Sequence, residues 1–302
     1  MAVVIGSNGV HFVRIKHVAG RPQVKSYTFW RLSGVKVAAM TPATLDKLRK
    51  DAHVPELPVS TLLAAGEYQL ILTEAPNVPQ EEMKSAVRWS VKDNLNYHVD
   101  DAVLDVLSIP AGNGERSKSL YVVAAARDVV SKRIELFKRA HMKLAVIDIP
   151  EMAQRNIAAL YEQNGRALAL LSLDESGGLL TFSCDGELYM ARRIEISAGQ
   201  LNDANETLRL QYTDRLELEL QRSIDHFDRQ FKHVTVNRLL LSVPDNAALA
   251  GTLGNALGLP IEALDLREVM DMDGVPELAH EEARVYALHA LGAALRQEGH
   301  AL

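Results

Sequence analysis

The chain has 302 residues, 47% hydrophobic and 24% charged, the proportions of an ordinary globular protein long enough for two lobes with separate cores. Its 33 Lys and Arg against 39 Asp and Glu leave a net charge of −6, and no Lys/Arg cluster is interleaved with aromatics, which argues against a nucleic-acid binder. Cys184 is the only cysteine, so no disulfide framework or thiolate zinc site forms within one chain, and a reducing cytoplasm is expected. The opening segment lacks a basic region followed by a long apolar core, so no signal peptide is expected. Apolar runs such as 168–171 and 239–241 fall far short of the roughly 20 residues that span a bilayer, so no direct membrane insertion is expected.

Three short strands are predicted at 2–5, 10–17 and 24–29, joined by the turns Gly6-Ser7-Asn8-Gly9 and Ala19-Gly20-Arg21-Pro22. Thr41-Pro42 starts a short helix around 44–50, and after Pro55 and Pro58 a further short helix or turn leads to a strand at 68–72. Then come a helix over 80–96, a strand at 102–109, a Gly-rich turn at 111–116, a strand at 119–125, a helix over 129–141 and a strand at 143–148. Pro79 suits a first helical turn, and Gln80, Glu81 and Glu82 put acceptors and negative charge at the positive end of the helix dipole. Met83, Ala86, Val87, Val91 and Leu95 form the apolar stripe of the first helix, and Val130, Ile134, Phe137 and Ala140 that of the second. Trp89 lies off the stripe, where a large ring either glues two subdomains together or waits for a partner. This run reads as a compact αββαβ unit inserted into the first lobe.

A second meander repeats the opening, with strands at 167–173, 179–184 and 187–194. Its turns are Asp174-Glu175-Ser176-Gly177-Gly178 and the strong two-residue hairpin signal Asp185-Gly186. A long helix follows over 201–231, then a strand at 238–242, a helix over 246–257, a strand at 259–265 and a final helix over 281–297. Leu216, Leu220, Ser223, Ile224 and Phe227 share one face of the long helix. Two meander-led lobes predict a duplicated α/β architecture. The first lobe is 1–75 with 146–165 and 281–302, the inserted subdomain 76–145 and the second lobe 166–280. The first turn of each meander is expected to face a shared cleft.

Three blocks carry a resemblance: 78–150, especially Ala86-Val87-Arg88-Trp89; the helix segment 216–227 with its Arg222-Ser223 and Phe227; and the closing helix 286–296. In order and spacing they resemble the type IV pilus assembly PilM family, and within it the MshI branch of the mannose-sensitive haemagglutinin pilus. The resemblance implies an α/β, actin-like (FtsA-like, ribonuclease H-like duplicated) two-lobed fold with an inserted α+β subdomain in the first lobe. It implies a cytoplasmic scaffold, peripheral to the inner membrane, that binds the N-terminal tail of a PilN-like (MshJ-type) inner-membrane protein and meets other pilus platform proteins. The family's peptide groove lies between the inserted subdomain and the first lobe. Trp89, Tyr97 and Val103 are the partner contacts expected there, with an apolar peptide docking on an aromatic anchor.

The resemblance also marks a nucleotide cleft, in which two hairpin turns clasp phosphates through backbone N–H groups. Gly6, Ser7, Asn8 and Gly9 would form the first turn, and Ser172, Asp174, Gly177 and Gly178 belong to the second. The departures matter. The acidic position before the first turn corresponds to Val4, and the second acid to Ser172. Asp174 and Glu175 would repel a triphosphate unless magnesium intervened. The Gly-Gly strand end that packs adenosine corresponds to Ser242-Val243-Pro244-Asp245, which lacks the close approach glycine permits. The cleft reads as degenerate: no catalytic residue and no cofactor are expected, and ATP with magnesium would bind weakly. A slow ATPase using Asp174 or Glu217, and a nucleotide-holding switch, stay open beside the scaffold. A plain hairpin turn also explains Gly6–Gly9.

No metal site is expected, because the ten histidines are scattered, no HExxH motif occurs, and Asp271-Met272-Asp273-Gly274 lacks the later ligands of a calcium loop. His289 is expected to be a packed helix residue, Cys184 a small apolar one, and Glu219–Arg222 a surface ion pair.

Overall fold

The computed structural model describes residues 1–7, 9–32, 40–112, 119–163, 165–244 and 246–296. The turn residue Asn8, most of the Gly-rich turn at 111–116, Asp245 and the end of the chain beyond 296 lie outside the described residues. The chain divides into two compact units, one of Met1–Phe12 with Phe29–Pro150, the other of Val13–Thr28 with Glu151–Arg296.

The opening hairpins form as their turns dictate. Strands β1 (Ala2–Gly6), β2 (Gly9–Val18) and β3 (Arg21–Arg31) make the expected meander. Ala19 and Gly20, with φ of 50° and 82°, supply the two left-handed residues a tight hairpin of right-twisted strands needs. Thr41 Oγ1 accepts from Thr44 N at 3.2 Å and caps α1 (Pro42–Asp51). The next segment is strand β4 (Val59–Leu62), where a short helix or turn was expected. Four residues buried almost throughout show no alternation to read, yet β4 pairs in parallel with β1 and with β8 (Leu144–Asp148). The sheet order is β3-β2-β1-β4-β8.

Between β4 and β8 the chain inserts β5 (Tyr68–Glu74), α2 (Gln80–Val91), β6 (Ala102–Ser108), β7 (Ser119–Ala126) and α3 (Arg127–Arg139). The inserted sheet runs β5-β7-β6 and is antiparallel. This corrects the αββαβ reading: 68–74 joins the insertion and 144–148 joins the main sheet, giving βαββα, because alternation identifies a strand but not its neighbour. The stripe of α2 packs as expected, with Val87 and Val91 on Val106, Leu120 and Val122. The stripe of α3 does so only in part. Phe137 and Ala140 enter the main-sheet core beside Val3, Phe12 and Leu45, whereas Ile134 is left 48% exposed. Arg133, nearly buried, ties α3 to the end of β4 by donating to Leu62 O at 2.6 Å and to Glu67 Oε2 at 2.7 Å.

The second unit repeats the arrangement. A helix not expected from the sequence, α4 (Pro150–Ala158), precedes β9 (Ala167–Asp174), β10 (Gly177–Cys184) and β11 (Glu187–Ile194). Asp185 and Gly186 have φ of 50° and 77°, as the hairpin signal required. The expected single long helix is two, α5 (Ala198–Leu201) and α6 (Glu206–Gln230). Asn205 separates them by accepting from Thr207 N and Leu208 N, a cap that starts a new helix. After these come β12 (Val236–Ser242), α7 (Asn246–Leu257), β13 (Ile261–Ala263) and α8 (Glu281–Leu295). The sheet order β11-β10-β9-β12-β13 matches the first sheet strand for strand, which is the duplication. Phe227 of α6 stacks on Phe182 of β10 at 4.8 Å between ring centroids and meets Phe231 at 5.0 Å. Residues 151–165 and α8 fall in the second unit.

Helices α4 and α8 touch backbone to backbone. A Cβ on Gly292 would sit 2.0 Å from Ala153 O, and Asn156 Nδ2 donates to Gly292 O at 2.9 Å. Gly292→Ala should therefore lower stability by roughly 1–3 kcal/mol, read as a lower Tm and urea midpoint with an unchanged m-value.

Candidate functional site

Gly6 closes β1 and Gly9 opens β2 around the turn residue Ser7. A Cβ on Gly9 would lie 2.2 Å from Trp30 O and 2.5 Å from the Phe29 ring, so cross-strand contact with β3 by itself demands glycine there. Val4 is buried in β1. In the second turn, a Cβ on Gly178 would lie 2.5 Å from Leu173 Cδ2, and Gly177 has a φ of +130°. Asp174 Oδ1 accepts from Ser176 N at 2.7 Å and from Ser176 Oγ at 2.5 Å. The carboxylate thus occupies a turn amide that a phosphate would need. At the third element Ser242 and Val243 are buried at the end of β12. Glu219 and Arg222 approach at 3.5 Å as an i,i+3 surface pair. Among the described residues no group of His, Cys, Asp and Glu is placed to hold a metal ion.

Ser172 belongs to a buried polar cluster that includes a residue the sequence reading missed, Gln154 of α4. Gln154 Nε2 donates to Leu170 O at 2.7 Å, Thr181 Oγ1 at 2.9 Å and Leu179 O at 3.1 Å. Its Oε1 accepts from Ser172 Oγ at 2.7 Å and from His289 Nε2 at 3.2 Å. Both ends of the amide are saturated by the protein. Pro150 at a helix start, Glu151 in the first turn, and Ala153 and Ile157 four apart were the signals that would have found α4. Beside the cluster, buried Glu151 accepts from Arg193 at 2.9 Å. Burial pushes the half-buried His289 down to about 4, with Asp174 opposing and Arg193 assisting the shift.

The partner candidates separate. Trp89 is 71% exposed on the outer side of α2, so it does not serve as glue between the inserted subdomain and the main sheet of its own unit. Tyr97 is half-buried in the connection after α2, its hydroxyl has no hydrogen-bond partner, and burial raises its pKa. Arg88 donates to Val99 O at 2.6 Å and holds this connection against the helix. Val103 lies on the opposite face of the inserted sheet, because Leu104 and Val106 are the β6 residues packed toward α2. Between Glu81 and Asp105 six acidic residues stand against three basic ones. Lys84 is paired with Asp105 at 2.9 Å and Arg88 is spent on the backbone, and the segment carrying Trp89 is net acidic by sequence. A groove lies between α3 and the α1–β4 connection, where the peptide groove was expected, and none of these three residues lines it.

No protein-family model matches the chain, and no curated protein sequence matches it. Among solved structures, the chain is similar to a PilM–PilN type IV pilus biogenesis complex, at 20% identity over 96% of this chain and 97% of that chain, with a TM-score of 0.74. It is similar to the cytoplasmic domain of EpsL, an inner membrane component of the type II secretion system of Vibrio cholerae, at 14% identity over 98% and 94%, TM-score 0.51. It is also similar to a Bacteroides thetaiotaomicron protein of actin-like ATPase fold, at 9% identity over 94% of each chain, TM-score 0.51. The fold is actin-like.

In the folded chain His289 stays neutral down to about 4, against 6.5 for an ordinary histidine. The unfolded state takes up the proton first as pH falls. Stability from this group is therefore complete above pH 6.5 and is lost progressively down to about 4. His289→Gln should flatten the fall of Tm across that window. Parallel curves for variant and wild type would show that the acid sensitivity arises elsewhere.

Proposed function

We propose that the chain is a catalytically inert actin-like scaffold of a type IV pilus or related secretion platform, on the MSHA (MshI-type) branch. In this reading it binds the cytoplasmic N-terminal tail of a PilN-like (MshJ-type) inner-membrane protein and is held at the membrane by that partner. The observation that carries the reading is Trp89, a large ring left 71% exposed on α2, within a segment of net acidic composition. Cytoplasmic segments flanking membrane spans carry excess Lys and Arg, so such a tail has the complementary charge, and an exposed indole gives it an apolar anchor. The similarity to a PilM–PilN complex over nearly the whole chain supports the choice of partner. Among the described residues no helix is long and apolar enough to cross a membrane, which agrees with a role exercised through a membrane-spanning partner.

The scaffold part of the reading rests on the site. In this reading Val4 and Ser172 stand where the sequence resemblance puts acids, the second-turn carboxylate caps its own turn, and the Gln154 amide is fully bonded within the protein.

Trp89→Ala should weaken capture of the tail peptide by about 2 kcal/mol, roughly thirtyfold, with Tm unchanged. Tail binding should also weaken as salt rises. Undiminished capture by the variant would remove Trp89 from the interface. A ligand at 100 times its Kd stabilises by about 2.7 kcal/mol, so millimolar Mg-ATP should leave Tm unmoved if the cleft is degenerate. A shift without phosphate release would identify a nucleotide switch, and release abolished by Asp174→Ala a slow ATPase.

A further inference from the structure

No Asp or Glu occurs before Asp46, while Arg14, Lys16, Arg21, Lys25 and Arg31 do, in a chain that carries −6 as a whole. Four of these cations fall between Val13 and Thr28, the part of the β2–β3 hairpin that belongs to the second unit. Strand β1 has five residues and β2 ten, so only half of β2 finds a partner in β1, and the remainder pairs with β3 alone as a two-stranded ribbon. The two-residue turn Ala19-Gly20 sets Val18 opposite Arg21, Lys16 opposite Gln23 and Arg14 opposite Lys25. Side chains alternate along a strand, so these residues share one face. The other face is the one held inside, with Val13, Pro22 and Val24 buried.

Carboxylates do not neutralise that face. Among the described residues Arg14, Lys16, Arg21 and Lys25 have no ion-pair partner. Arg21 donates to the carbonyls of Arg267 and Glu268 at 2.8 and 3.3 Å, and Lys25 donates to Gln23 Oε1. Asp271, which flanks β3 by accepting from Val24 N at 2.8 Å, has its carboxylate bonded by Gln23 Nε2 and Asp273 N. Arg14 and Lys25 face each other across the ribbon, where like charges repel. At the tip, Lys16, His17, Val18, Ala19, Gly20 and Arg21 are all exposed, Val18 to 51%. An aliphatic side chain at the apex of a ribbon, flanked by cations, matches negatively charged headgroups lying over hydrocarbon. No Phe, Trp or Tyr lies between Lys16 and Lys25 for bases to stack on, so nucleic acid is the poorer match.

We propose that the ribbon 14–25 docks on an anionic phospholipid surface. Its tip rests Val18 in the headgroup layer, Lys16 and Arg21 meet the lipid phosphates, and Arg14 and Lys25 add attraction from farther back. The contact lies on the membrane and spans nothing. The inference rests on the proposed scaffold role only for what brings the chain to a membrane; the contact itself requires no protein partner. Each Lys or Arg near such a surface raises partitioning by about fivefold, and the gain fades as salt shortens the Debye length. A chain tethered by a partner's tail alone can swivel, and a second, weak contact of this kind fixes which side faces the bilayer.

The test mixes the purified full chain, without the PilN-like protein, with vesicles of phosphatidylcholine alone or of phosphatidylcholine with phosphatidylglycerol, and measures co-sedimentation. Binding should require phosphatidylglycerol and fall as salt rises. Lys16→Gln/Lys25→Gln should lower partitioning about tenfold or more, Val18→Asp should lower it too, and Trp89→Ala should leave it unchanged. These positions are exposed, and an unchanged Tm for each variant confirms folding. No sedimentation with either vesicle, equal sedimentation with both, or wild-type partitioning by the ribbon variants would overturn the proposal. Tighter binding through the same residues to a single-stranded oligonucleotide or a polyglutamate peptide, at equal charge concentration, would overturn it by assigning the ribbon to nucleic acid or to an acidic protein. Capture of the tail by Trp89→Ala is measured without lipid, so either reading can fail alone.

Discussion

The side-chain amide of Gln154 is the interaction on which the second unit turns. It reaches from α4 to two strands and a second helix at once, with bonds to Leu170 and Ser172 of β9, Leu179 and Thr181 of β10, and His289 of α8. An amide taken out of water without partners costs a few kcal/mol, so a completely bonded one fixes the relative placement of all four elements. Helix α8 approaches α4 backbone to backbone at Gly292 within the same unit.

The first unit makes a different use of polarity. Its charges are unevenly spread: the segment 81–105 that carries the exposed Trp89 on α2 is net acidic in sequence, and basic side chains predominate around the groove beside α3. Both helices belong to the insertion, and each buries one stripe while leaving a large apolar side chain in solvent.

Much of the architecture was legible in the sequence. The doubled meander could be read because hairpins announce themselves locally, and Asp185-Gly186 adopts the positive φ pair its residue types favour. The stripes of α2 and α6 were legible for the same reason, as a period of one face. Strand β4 was not, because four residues buried on both sides carry no alternation. Nor was the exchange of β5 and β8 between sheets, since partner choice is a property of the whole fold. The glycines of the two turns look alike in sequence whether they admit a phosphate or a neighbouring strand. Only the position of Trp30 O shows that packing already requires Gly9. Gln154 escaped because its helix follows directly on β8 and Pro150, with no polar pattern to signal that one side chain would bridge four elements.

The pairing of Tyr68 with Ala125 carries a kinetic consequence. Strands β4 and β8 must lie side by side, yet the whole insertion is synthesised between them. Long-range parallel pairing is slow because the intervening chain must close as a loop first. By zipping its own first and last strands together, the insertion returns the chain to the point from which it left. Once that small antiparallel sheet has formed, the distance β8 must search is set by α3 and two short connections, and the detour ceases to count against folding.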